Sequence, residues 1–260
     1  MRTFVGTAAW LGLSSAVVLA AEVLSPAIVA GWQTYISATE ARVAPLRGQP
    51  LASVEAVDRG QVLVEKVRMT GPKGDLDVPA ALVNHWRGVI LIPGARLDDV
   101  MWRLEFEPTD TRQQEVLASK VLSRRPGFLK VSLRVHRSLV LSAVFDTEHE
   151  VFFQRHNATR ASSQSTATKI VEIENAGTPR EREKGPNEDR GLLWRWNAYW
   201  RYEQVEQGVI VECESVTLSR HVPFLLRPFA EPLVNGLAKD SMERTLIAMR
   251  ERFRAPSPRH

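Results

Sequence analysis

Trp194-Arg195-Trp196-Asn197-Ala198-Tyr199-Trp200-Arg201-Tyr202 is the stretch from which the fold can be read. Trp194, Trp196, Trp200 and Tyr202 fall on one parity; Arg195, Asn197, Tyr199 and Arg201 fall on the other. Side chains alternate across a strand, so this segment predicts a strand with an aromatic face and a polar face. Three of the seven tryptophans sit on that aromatic face, which must cover a core, line an apolar pocket, or both. The next strand-like run is Val209 to Leu218, and a turn near Gly208 joins the two as an antiparallel hairpin. If the turn centres on Glu206 and Gln207, Arg201 lies opposite Glu212 and Tyr199 opposite Glu214. Such cross-strand pairs contribute roughly a few tenths of a kcal/mol, and a one-residue slip would undo them.

The 260 residues allow one large domain or two modest ones, and 44% hydrophobic with 25% charged residues is a globular balance. A net charge of +4 permits contact with anionic lipid or nucleic acid. No nucleic-acid motif is present, so a nucleic-acid partner is not expected. The single cysteine, Cys213, excludes an intrachain disulfide and any zinc site built on several thiolates; it reads as a small buried residue. Met1-Arg2 is followed by an uncharged run, Thr3 to Ala21, with compact Val18 and Ala20 before Ala21. This reads as an export signal, either cleaved or retained as an anchor, and predicts a periplasmic or extracellular protein. Val23 to Thr39 is again uncharged, which leaves a membrane tether open.

Around the hairpin the pattern supplies further elements. Gly31 to Val43 predicts a short helix or linker, and Gln61 to Met69 and Ala81 to Ile92 predict strands. Leu97 to Phe106 predicts a helix with Leu97, Val100, Met101 and Leu104 on one face; Asp110 to Leu117 predicts a second short one. Phe128 to Val135 and Leu139 to Phe153 alternate, the latter with Phe145, Val151, Phe153, Thr147 and His149 sharing a face. Thr166 to Ile173 reads as another strand and Gly177 to Arg190 as a solvated loop. Pro223, Pro228 and Pro232 are expected to break the chain into short pieces. A final helix is expected from an Asp240 N-cap with Glu243, carrying the stripe Met242, Leu246, Met249 and Phe253.

A strand, short helices, a run of antiparallel strands and a closing amphipathic helix make up an order that resembles the START-like superfamily. That superfamily includes the Bet v 1 and polyketide cyclase/dehydrase groups. The segment Val89-Ile90-Leu91-Ile92-Pro93-Gly94-Ala95-Arg96-Leu97-Asp98-Asp99-Val100-Met101-Trp102-Arg103-Leu104 resembles the family's early strand, Pro-containing turn and first helix. Asp240 to Phe253 resembles its closing helix, and the hairpin segments resemble uncharacterised exported bacterial proteins of this type. The resemblance implies an α+β helix-grip fold, a curved antiparallel sheet wrapped around a long C-terminal helix with an apolar cavity between. With the export signal or anchor over 1–21, the chain divides into a linker or short helix over 22–60, the domain to which the resemblance extends over 61–254, and a tail over 255–260. The resemblance implies no catalytic residue, since the superfamily shares none.

The candidate cavity wall is Trp194, Trp196, Trp200 and Tyr202 with His149 and Phe145 from the sheet and Met242, Leu246 and Met249 from the closing helix. His149, alone on an apolar strand face, is either a hydrogen-bonded core residue or a pocket acid, base or anchor. His85, His136, His156 and His221 lack metal-binding spacing, and no serine-hydrolase, dinucleotide or P-loop motif is present, so neither metal nor cofactor is expected. Asn157-Ala158-Thr159 matches the short glycosylation pattern. These observations favour binding or carriage of an apolar small molecule or lipid. They leave open a cyclase-like enzyme that moves protons with His149 or Tyr199, and a structural envelope protein with a filled core.

Overall fold

Alternating apolar and polar residues dominate the chain from Leu63 to Arg220, and all but two of the strands there join one curved antiparallel sheet. The computed structural model describes residues 24–51, 57, 60–71, 74–108, 115–138, 142–185, 188–221 and 227–254. In chain order these form α1 (Pro26–Val43), β1 (Leu63–Lys66), β2 (Thr70–Gly71), β3 (Gly74–Asp75), β4 (Ala81–Pro93) and α2 (Leu97–Phe106). Then come β5 (Val116–Arg125), β6 (Phe128–Ser138), β7 (Ser142–Arg155), β8 (Arg160–Glu174), β9 (Arg182–Glu183), β10 (Arg195–Val205), β11 (Gly208–Arg220) and α3 (Arg227–Arg254). The strand order is β1-β4-β11-β10-β8-β7-β6-β5, with β9 against β8 and β2 paired only with β3. Every neighbouring pair in the large sheet is antiparallel.

The β10–β11 hairpin takes the register read from the sequence. Arg201 pairs with Glu212, Tyr199 with Glu214, and the turn is Glu206–Gln207. Gly208 is required there: a Cβ would come within 2.1 Å of the Ile92 carbonyl oxygen on the neighbouring strand. Arg201 donates two bonds to the Glu212 carboxylate, at 2.8 and 3.0 Å, the fork geometry that makes such a pair directional.

Helices cover both faces of the sheet. On one, Ile28, Trp32, Tyr35 and Val43 of α1 pack against Trp194, Tyr199, Val216 and Leu218. On the other, Met242 and Leu246 of α3 join Ile90, Ile92, Val211, Cys213 and Tyr202, together with Leu97 and Val100 of α2. Cover on both sides explains why nine of the thirteen residues of β11 are buried.

Several expectations are corrected. The segment read as a linker or short helix is an 18-residue helix packed on the sheet. Its start signal is Ser25, whose side chain accepts from the Ile28 amide, followed by Pro26 at the first helical position. Val116 and Leu117 begin a strand rather than end a helix; residues 109–114 lie outside the described ones. β5 is an edge strand with little burial, so no apolar alternation marks it. β8 starts at Arg160, not Thr166, because Ala161 to Ser165 are held by strands on both sides in spite of their small, polar side chains.

The closing helix begins at Arg227, so Asp240 is interior and not its cap. Pro228 sits in the first turn, where no intrahelical N–H bond is lost, and the helix continues through Pro232. Pro223 and the stretches 1–21 and 255–260 lie outside the described residues. Among the described residues no helix is long and apolar enough to cross a membrane.

Candidate functional site

Gly88 on β4 sets where α3 touches the sheet. A Cβ there would lie 2.6 Å from Leu246 Cδ1 and 2.9 Å from Met242 Cγ, so glycine allows the helix to press onto β4. Farther across the sheet no such contact closes the gap. A cavity of about 290 Å³ opens between α3 and strands β5, β6, β7, β8 and β10. Its apolar wall is Leu129, Val131, Leu133 and Val135 of β6, Val151 and Phe153 of β7, Ala198 and Trp200 of β10, and Ala248 and Met249 of α3. Leu104 and Pro108 close it from α2 and the residues after it. A smaller chamber of about 130 Å³ shares Trp196, Ala198, Trp200 and the Glu115–Arg137 end, and adds Asn84, Trp86, Cys213 and Met242.

Of the nine candidate wall residues, Trp196, Trp200, Tyr202, His149 and Met249 line the larger chamber, and Met242 lines the smaller. Three stand apart. Trp194 precedes β10, turns to the α1 face among Trp32 and Tyr35, and donates from Nε1 to Asp189 at 2.9 Å. Phe145 lies on the expected strand face, but Leu193 closes over it with Val135 and Ala143, making it core. Leu246 is fully buried at the Gly88 contact. Tyr199 does not reach the cavity either: its hydroxyl donates to Glu40 of α1 at 3.2 Å.

His149 is buried, with Nε2 3.0 Å from the Thr147 hydroxyl, Nδ1 3.3 Å from that of Ser165, and its ring edge-on to Trp196 at 4.9 Å. Burial, followed by the nearby Arg137 cation, lowers its pKa to about 4, so it is neutral at pH 7. The Tyr202 hydroxyl lies 3.1 Å from Ser163 Oγ, and burial pushes its pKa up. Trp200 and Tyr202 stack nearly parallel, 5° apart at 6.4 Å.

The polar end of the cavity was not found by sequence reasoning. Glu115 accepts from Arg137 at 2.8 Å, Ser241 at 2.9 Å and Arg244 at 2.6 Å. Burial raises the Glu115 pKa, but Arg137, Arg244 and Ser241 outweigh it and hold the carboxyl below the usual range. Arg137 also lies 4.7 Å over the Trp196 ring, a cation–π contact. One signal existed: Leu129, Val131, Leu133 and Val135 share a parity, and Arg137 continues it onto the cavity face.

The opposite face is closed by a polar network. The Tyr35 hydroxyl lies 2.8 Å from His85 Nδ1, and His85 Nε2 donates to Glu214 at 2.6 Å. Arg42 of α1 pairs with the same Glu214 oxygen. Burial raises the Glu214 pKa, but His85 and Arg42 outweigh it and leave the group ionised. Only about 20 Å³ remains open there. Among the described residues no group of His, Cys, Asp and Glu is arranged to hold a metal ion.

A sheet in the order β4-β11-β10-β8-β7-β6-β5, short helical cover after β4 and a closing helix across one face make this an α+β helix-grip fold. β1 extends it beyond β4, and α1 backs it. No protein-family model and no curated protein sequence matches the chain. Among solved structures it is similar to human STARD10, with a TM-score of 0.47 and 9% identity over 84% of this chain and 78% of that one. It is also similar to a STAR-related lipid transfer protein from Xanthomonas axonopodis, with a TM-score of 0.44 and 16% identity over 73% and 99%. A third is the Zhui aromatase/cyclase from Streptomyces sp. R1128, with a TM-score of 0.34 and 11% identity over 66% and 93%.

Proposed function

We propose that this protein binds and carries an apolar small molecule or lipid in the cavity beneath α3. The observation that carries the reading is the cavity itself: about 290 Å³ walled largely by aliphatic and aromatic side chains, with the Glu115, Arg137, Ser241 and Arg244 cluster at one end. That is the usual make-up of a small-molecule site, near the lower end of the usual size range. Open space also supports binding over a structural protein whose sheet is filled solid. The cyclase-like alternative needs a cavity group that titrates near neutral pH. His149 near 4 and a raised Tyr202 do not supply one, which favours binding over proton transfer.

Export, and contact with a membrane at some stage of carriage, belong to the same proposal. The leader motivates the first. Trp102 and Phe106 motivate the second: they stack at 5.8 Å on the exposed side of α2, with Arg124 5.4 Å from the Phe106 ring.

The test is solvent extraction and native mass spectrometry of the purified full chain, compared with Ala248→Phe, which fills the cavity from α3. An apolar molecule leaving with the native protein and lost from the filled variant is the expected result. A native protein that carries nothing and takes up no apolar probe would sink the reading.

A further inference from the structure

The charge lining the cavity is not balanced. Three arginines, Arg137, Arg244 and Arg252, and one carboxylate, Glu115, face it, which leaves +2 with His149 neutral. Arg252 is spent on the carbonyls of Arg103 and Glu107 at the end of α2. Arg137 is not. Its Nη1 makes both of its bonds, to Glu115 at 2.8 Å and to Ser241 at 3.1 Å. Nε and Nη2 have no acceptor among the described residues, and the side chain is 21% exposed rather than sealed. That Nε–Nη2 edge is the one that grips a planar oxyanion with two parallel bonds. Arg137 lines both chambers, so it stands at their junction, with its guanidinium held over Trp196.

Size narrows the ligand further. The larger chamber, about 290 Å³, is near the lower end of the range for small-molecule sites, and the smaller adds about 130 Å³ beside it, which suits a single chain or a small ring.

Resting on the binding reading above, we propose that the ligand is a single-chain or small-ring carboxylate. Its head is held by the open edge of Arg137 and its apolar body lies along Val131, Val151 and Trp200. Glu115 then has a second role. It fixes Arg137 in place, and its negative charge limits how tightly the ligand anion is held.

The experiment is tryptophan-fluorescence titration of the full chain with decanoate and with 1-decanol, which share a ten-carbon chain and differ in the head. Native protein is expected to bind decanoate about tenfold or more tightly than decanol, the range of a charge-assisted hydrogen bond. Arg137→Gln should remove that preference and leave decanol within about twofold. Arg137→Lys, which keeps the charge without the two-pronged edge, should lose about half of the preference on a logarithmic scale. Glu115→Gln should tighten decanoate, a sign that a merely structural role for the pair would not produce. Equal binding of the two probes by native protein, or an Arg137→Gln variant that keeps the preference, overturns the carboxylate assignment while the cavity reading stands. Native protein that binds neither probe overturns both.

Discussion

The two faces of β10, one aromatic and one largely polar, are each covered by a helix, yet only one of them encloses open space. Under α1 the space is closed: Trp32 and Tyr35 fill it, and Tyr35, His85, Glu214 and Arg42 satisfy one another across the interface. Under α3 the helix meets β4 at Gly88 and leaves β6 and β7 uncovered, so Trp196 and Trp200 face open space. Amphipathic pattern decides which face of a strand is covered; the distance of the covering helix decides whether that cover is core or cavity.

The comparison breaks most severely at Glu214. Glu214→Gln leaves His85 and Arg42 without their carboxylate in a buried setting, a change that costs about 3 kcal/mol. Chemical denaturation should show that loss, while fluorescence titration of a cavity probe on the folded variant stays unchanged. A loss of probe binding without a loss of stability would mean that the two faces are not independent.

Acid should act on the cavity face first. The folded-state pKa of His149, about 4, lies below its ordinary value of 6.5, so the unfolded chain binds the extra proton. Stability from this group is complete above pH 6.5 and is lost as pH falls from 6.5 towards 4, by up to about 3 kcal/mol at 1.36 kcal/mol per unit. His156 is lowered as well and adds in the same direction. The depressed carboxylates Glu115, Glu172 and Glu214 have an ordinary value of 4.5, so their loss lies at lower pH. Denaturation midpoints at pH 7 and pH 5 should differ less in His149→Gln than in the native chain. An equal difference would show that His149 is not the group responsible.

The smallest test separates two tryptophans that the alternation places together. Trp194→Phe removes the bond to Asp189 under α1 and should cost about 1 kcal/mol with no effect on a cavity probe. Trp196→Phe should weaken the probe with little effect on stability. The reverse outcome would place the site under α1.

Legibility in the sequence followed the range of the interaction that decides each feature. The α2 stripe and the β6 and β7 alternation are local patterns and were read correctly. β5 was missed because an edge strand buries too little to show a pattern, and the start of α3 was missed because its prolines read as breaks. The polar end of the cavity was missed because Glu115, Arg137 and Ser241 are far apart in the chain and meet only when β5, β6 and α3 converge. Phe145 was placed on the right face, yet the loop residue Leu193 that closes over it belongs to another part of the chain.

The sequence by itself determined the hairpin, its register and its two unlike faces, because a period of two residues and a two-residue turn tolerate no slip. Only the tertiary structure decided which aromatics are core and which are wall. That division depends on how closely α3 approaches each strand. Gly88, a residue without a side chain in another strand, sets the close approach, and nothing near Trp196 in the chain encodes it.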